Sequence, residues 1–184
     1  MLQRSIAFAQ HRKGKEVALL ERALHDELTG LPHCTRLLDR LQAAMQQSTR
    51  TGSPGALLFV DLDRFKQVND DHGQAAGDVV LRVVAQRLAA AVRRSDAVAR
   101  LGGDEFGLLL SSATSGPDAI AVGDKLLQAI LEPVAFEGKA LQVSASIGVV
   151  CFTGESPGAE RVMQQADAAM YAAKASGKGQ VAML

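Results

Sequence analysis

Apolar positions along this chain follow two rhythms, steps of three and four residues and short unbroken or alternating runs, and the two take turns. Val17, Leu20, Leu24 and Leu28 recur at helical spacing between the charged flanks Glu16, Glu21 and Arg22. That predicts a helix over residues 16–28 with a seam for its own domain or for a partner helix. Gly30 and Pro32 predict its end. Leu37, Leu38, Leu41 and Met45 predict another helix, and Thr51 to Gly55 a loop. Ala56 to Val60 is a continuous apolar run, the pattern of a central strand buried on both faces, and it leads straight into Asp61-Leu62-Asp63. After a polar stretch, Val79, Val80, Val83, Val84, Leu88 and Val92 predict a long amphipathic helix. Strands are predicted near Ala97–Leu101 and Glu105–Leu110, and a helix from Ala119 to Leu131 after Gly116-Pro117-Asp118. Leu141 to Val149 alternates with period two, predicting a strand with one polar face. Val162 to Ala175 predicts an alanine-rich helix closed by Gly177. The sum is a mixed α/β sheet layered by helices.

Composition narrows the class. At 184 residues the chain can bury one substantial core, with an appendage. A 47% hydrophobic and 22% charged make-up is that of a soluble globular protein. Lys+Arg and Asp+Glu both number 20, so no bulk field favours a nucleic acid polymer or an anionic membrane, and phosphate binding must come from a local site. Cys34 and Cys151 are too few for a disulfide framework. No apolar run approaches the ~20 residues of a membrane span, which predicts a cytoplasmic chain without membrane contact.

Chemistry concentrates at two places. Gly102-Gly103-Asp104-Glu105-Phe106 reads as a tight hairpin with acid at its tip, where glycine permits φ > 0 and close approach of a ligand. Asp61 and Asp63 stand at the end of the buried strand, where unpaired carboxylates are costly. A divalent cation would offset that cost, and the hairpin acids would add ligands; strand-end acid plus hairpin acid suits metal-assisted phosphoryl or nucleotidyl transfer.

Several separated motifs, in order, resemble the GGDEF domain family of diguanylate cyclases. Asp26-Glu27-Leu28-Thr29-Gly30-Leu31-Pro32 is similar to its D-x-L-T-G-L-P entry. Asp61 to Asp70 matches D-x-D-x-F-K-x-x-N-D, Gly77-Asp78 the G-D that follows, and Gly102 to Phe106 the name-giving motif. Asp167 to Lys174 resembles D-x-A-[LM]-Y-x-A-K of the last helix. The resemblance covers roughly residues 25–180, dividing the chain into an N-terminal linker helix (1–25) and a GGDEF domain (26–184). It implies a cyclase-like sheet related to the polymerase palm, with helices on both faces, and condensation of two GTP into cyclic di-GMP with release of pyrophosphate.

The same resemblance implies roles. Asp61, Asp104 and the carbonyl of Leu62 would hold Mg²⁺, with Mn²⁺ as a substitute, and Glu105 a second metal; Asp104 is also the family's candidate base. Asn69 and Asp78 would read the guanine edge, since an anionic Asp accepts from N–H groups that adenine lacks. Lys66, Lys174 and Lys178 would neutralise phosphate. Arg93-Arg94-Ser95-Asp96, nine residues ahead of Gly102, resembles the family's R-x-x-D product-inhibition site, with Arg93 as a planar fork and Asp96 as an acceptor. The chain departs from the family at His33, Cys34 and Thr35, at Gln74 (which keeps hydrogen-bonding capacity toward substrate) and at Lys178-Gly179-Gln180. Two GTP molecules imply a homodimer, and the first helix implies a fused upstream sensor. The competing reading is a cyclic di-GMP receptor without turnover.

Overall fold

The computed structural model describes residues 24–111 and 115–184. Its centre is a five-stranded sheet in the order β2-β3-β1-β6-β7, from β1 (Gly55–Asp63), β2 (Ala97–Gly102), β3 (Glu105–Leu110), β6 (Ser144–Phe152) and β7 (Val181–Met183). Neighbouring strands run antiparallel except β6 and β7. Strands β4 (Val134–Phe136) and β5 (Lys139–Leu141) form a separate small hairpin.

Period-two alternation explains the layers. Alternate β1 residues Leu58, Val60 and Leu62 join Val80, Val84 and Leu88 of α3 (Gln74–Ala91) and Leu126 and Ile130 of α4 (Gly116–Leu131). Leu57 and Phe59 pack instead with Leu37, Leu41 and Met45 of α1 (Cys34–Thr51) and Val162, Ala166 and Met170 of α5 (Ala159–Ala175). Helices therefore cover both faces, as the sequence predicts, and β1 is buried along its whole length.

Several expectations change, and one lies beyond what the structure describes. The seam residues Val17 and Leu20 lie outside the described residues. Leu28 lies in a turn and packs against the sheet core, so a helix does not continue through it. That turn is closed by Asp26, which accepts from the Thr29 N–H at 2.8 Å and the Thr29 hydroxyl at 2.6 Å, while Gly30 (φ 72°) donates to the Asp26 carbonyl at 2.8 Å. Gly30 thus serves a turn, not a helix end.

The strand predicted over 141–149 begins at Ser144, ends at Phe152 and is buried on both faces, because α5 covers the side its serines occupy; Leu141 belongs to β5. The polar stretch after Asp63 forms α2 (Phe65–His72), and α3 starts at Gln74, ahead of its first valine. Helix α4 starts at Gly116, capped by reciprocal Ser115–Asp118 bonds. No helix among the described residues is long and apolar enough to cross a membrane.

Candidate functional site

Strand pairing brings the two acid sites together. In the β1–β3 ladder Asp61 stands opposite Glu105, and the Leu62 N–H donates to the Asp104 carbonyl at 3.2 Å. Gly103 takes φ 49°, the left-handed conformation that lets the turn fold back over the end of β1.

Helix α5 closes the other side: Lys174 Nζ lies 2.7 Å from Asp61 Oδ2. Helix and sheet approach closely because β6 carries Gly148, whose missing side chain leaves room for the backbone of Ala166 and Met170.

The electrostatics follow from this crowding. Burial pushes the Asp61 carboxyl above its ordinary value; the Lys174 hydrogen bond opposes the shift, and the charge of Asp104 adds to it. Glu105 is raised by burial and then by Asp61, Asp104 and Asp167. Burial works against the Lys174 charge, but its bond to Asp61 and the surrounding acids outweigh that and raise it. Carboxylates that disfavour their own charge in this way suit a hard cation bound by one or two protein oxygens plus phosphate and water. Among the described residues no three His, Cys, Asp or Glu side chains are gathered closely enough to hold a metal ion by themselves.

Asp63 behaves differently from the sequence expectation. It accepts from the Ser146 hydroxyl at 2.8 Å and from the Gly179 N–H at 2.9 Å, so it is satisfied by the protein and ties β1 to the segment after α5. Its burial needs no cation.

Beside the acids lies a cleft of about 320 Å³ lined by Phe65, Asn69, Gln74, Asp78, Arg100 and Gly103. The two guanine-reading candidates, Asn69 and Asp78, thus share one pocket with Gln74. Gly77 lets α2 and α3 meet there, because a Cβ would collide with the Asn69 amide oxygen. Lys178 lines a different cavity of about 490 Å³, with Asp63, Arg64, Gln67 and His72, beyond the end of β1. Lys66 is exposed on α2 and lines neither space. Arg93 and Asp96 occupy the turn between α3 and β2. The Asp96 carboxylate accepts from the N–H of Arg93 at 3.0 Å and of Ser111 at 3.4 Å, while the Arg93 side chain is exposed.

Sequence reasoning missed a clamp. Arg100 Nη1 donates to both oxygens of Asp26 at 2.9 and 3.0 Å, and its Nε and Nη2 donate to the Gly103 carbonyl at 3.0 and 2.6 Å. One guanidinium fastens the hairpin tip to the first turn of the domain. An arginine two residues ahead of a Gly-Gly turn and an Asp-x-x-Thr turn were both legible, but nothing local links positions 26 and 100.

Comparison with known proteins settles the family. Residues 23–180 match the model for the diguanylate cyclase GGDEF domain. This chain belongs to the GGDEF family. It is 45% identical over 160 residues to MucR of Pseudomonas aeruginosa, a bifunctional diguanylate cyclase/cyclic di-GMP phosphodiesterase, covering 87% of this chain and 23% of that protein. It is 37% identical over 166 residues to the diguanylate cyclase TpbB of the same species, covering 90% of this chain and 38% of TpbB. The chain therefore spans well under half the length of these relatives. The solved GGDEF domain of TpbB superposes with a TM-score of 0.83 at 38% identity, covering 86% of this chain and 93% of that one.

Proposed function

We propose that this chain is a diguanylate cyclase domain, joining two GTP molecules into cyclic di-GMP and releasing pyrophosphate. The observation that carries the reading is the meeting of Asp61, Glu105 and Lys174 at the end of β1, next to the cleft that gathers Asn69, Gln74 and Asp78. Asn69 and Asp78 bind guanine through its N–H edge, with Gln74 as a further hydrogen-bonding group, and so exclude adenine. Lys174, bonded to Asp61, binds phosphate at the acids, with Lys178 of the neighbouring cavity and the exposed Lys66 of α2 as more distant cations. Asp61, Asp104, Glu105 and the Leu62 carbonyl hold Mg²⁺ or Mn²⁺, which when bound supplies charge stabilisation on the phosphates.

One half-site holds one GTP, so two copies face each other about a two-fold axis, each 3′-hydroxyl directed at the other's α-phosphorus. Asp104 is the candidate acceptor for the hydroxyl proton. Residues 26–184 form the catalytic domain, and 1–25 link it to an upstream sensor. Arg93 and Asp96 bind product: Arg93 offers its exposed fork to guanine or phosphate, and Asp96 retains acceptor capacity beyond the two backbone donors. The GGDEF domain of DgcB from Caulobacter crescentus, solved with cyclic di-GMP at a TM-score of 0.81 and 25% identity, supports the family's affinity for that molecule.

Incubation of the purified chain with equimolar GTP and ATP and with Mg²⁺, followed by chromatography, tests the reading. Cyclic di-GMP is expected as the sole cyclic product, and mixed guanine–adenine product would overturn the role given to Asp78. Asp104→Ala should retain the fold by circular dichroism and lose several kcal/mol of transition-state stabilisation, about a hundredfold or more in rate.

A further inference from the structure

Between α1, β2 and the segment leading into α1 lies a cavity of about 280 Å³ that shares no residue with the cleft beside the acids. Leu37, Val98 and Ala99 line it and are buried, so part of its wall is apolar. Its charged lining is Arg36, Arg40 and Asp96, together with His25.

The histidine holds one of the two arginines. His25 Nδ1 lies 3.0 Å from the Gly30 carbonyl, which can only accept, so these partners assign the ring proton to Nδ1. Nε2 is then the acceptor, and Arg36 Nη1 donates to it at 2.9 Å. The guanidinium is thus oriented by a neutral partner that offsets none of its charge. Among the described residues the ion pairs are Arg100–Asp26 and Lys174–Asp61, so neither Arg36 nor Arg40 is paired with a carboxylate, Asp39 of the same helix included. Asp96 accepts from the N–H groups of Arg93 and Ser111, one on each carboxylate oxygen.

Arg36 and Arg40 stand one helical turn apart, where like charges repel and an anion between them relieves the repulsion. Two guanidiniums against one carboxylate leave the lining positive. Each guanidinium presents parallel donors matched to phosphate oxygens. A phosphate monoester has three free oxygens to share between two such forks, whereas a phosphodiester has two. We propose that this cavity binds a small phosphate monoester with a ring body, its phosphate on Arg36 and Arg40 and its ring against Leu37, Val98 and Ala99. The site lies within one chain and uses neither the acids at the end of β1 nor the Arg93 side chain, which does not line the cavity.

Phenyl phosphate and inorganic phosphate are the probes, titrated into the purified chain without Mg²⁺ by calorimetry and by proton–nitrogen NMR. Phenyl phosphate should bind saturably and more tightly than inorganic phosphate, with the largest shifts at the amides of Leu37, Val98 and Ala99. Arg36→Ala and Arg40→Ala should each weaken it about tenfold or more, the loss expected for charge-assisted hydrogen bonds. Arg36→Lys keeps the charge without the fork and should fall between wild type and Arg36→Ala. His25→Phe removes the hold on Arg36 and should weaken binding with no change of charge. Arg93→Ala should bind as wild type does. Arg36 and Arg40 are exposed, so their variants should melt near the wild-type temperature.

Absence of saturable binding by wild type would overturn the proposal. So would unchanged affinity in Arg36→Ala and Arg40→Ala, shifts centred on Lys174, or inorganic phosphate bound as tightly as phenyl phosphate. A loss in Arg93→Ala as deep as in Arg36→Ala would put the anion on the turn ahead of β2 and overturn it too. These titrations involve no turnover, so their outcome is separate from that of the GTP assay above.

Discussion

Asp26 gathers three kinds of donor: a backbone N–H, a hydroxyl and a guanidinium. Burial raises its carboxyl pKa, but these bonds outweigh burial and bring it below the ordinary 3.8. A carboxylate held low in the folded state contributes stability that is present above the unfolded value and lost as pH falls through the folded one. Asp26→Asn should therefore cost about 2 kcal/mol at neutral pH, as expected for hydrogen bonds to a charged group. The deficit against wild type should shrink below pH of about 4 and vanish below the folded pKa. Thermal melts of both proteins across that range check this. Arg100→Lys should lose activity for a related reason, since an ammonium lacks the fork that spans Asp26 and Gly103 together. A steady-state assay with GTP would show it, and full activity would mean the clamp is dispensable.

Close packing of α5 on β6 makes Gly148 the most demanding glycine near the site, because a Cβ there meets backbone rather than a side-chain tip. Gly148→Ala should destabilise the fold by about 3 kcal/mol, the upper range for overpacking, and shift Lys174 away from Asp61. Urea melts measure the first effect and nucleotide affinity the second. The elements whose burial follows one clean period were legible in the sequence: β1, β3, α1 and the valine-rich part of α3. Helix α2 was not, because only Phe65 and Val68 among its residues are apolar and pack against the core, and none of its residues is fully buried. The strand β6 was misjudged because Ser144 and Ser146 look like a solvent face, whereas Ser146 is buried with its hydroxyl spent on Asp63. At the site, the acids and base-reading residues sit within contiguous motifs and could be found locally. The Asp26–Arg100 and Asp61–Lys174 pairs join residues 74 and 113 positions apart, and only the fold reveals them.

For the molecule as a whole, the turn carrying Arg93 and Asp96 lies between α3 and β2, apart from the residues that line the cleft beside the acids. On the proposed function, product bound there would stop the reaction without touching the acids, by holding two copies out of register. Arg93→Ala should weaken cyclic di-GMP binding by calorimetry and relieve inhibition at high product, with the initial rate unchanged. Equal affinity in wild type and variant would reduce this turn to a structural corner. The clamp at Arg100 has a mechanical consequence as well. The first turn of the domain, where the chain arrives from residues 1–23, is bolted through a single rigid guanidinium to the carbonyl of Gly103, one residue ahead of Asp104. A twist or pull reaching Asp26 would have a short path to the acid-bearing tip, through the hydrogen bonds of one guanidinium. Whatever moves the start of the domain is therefore coupled to Asp104 through a single side chain.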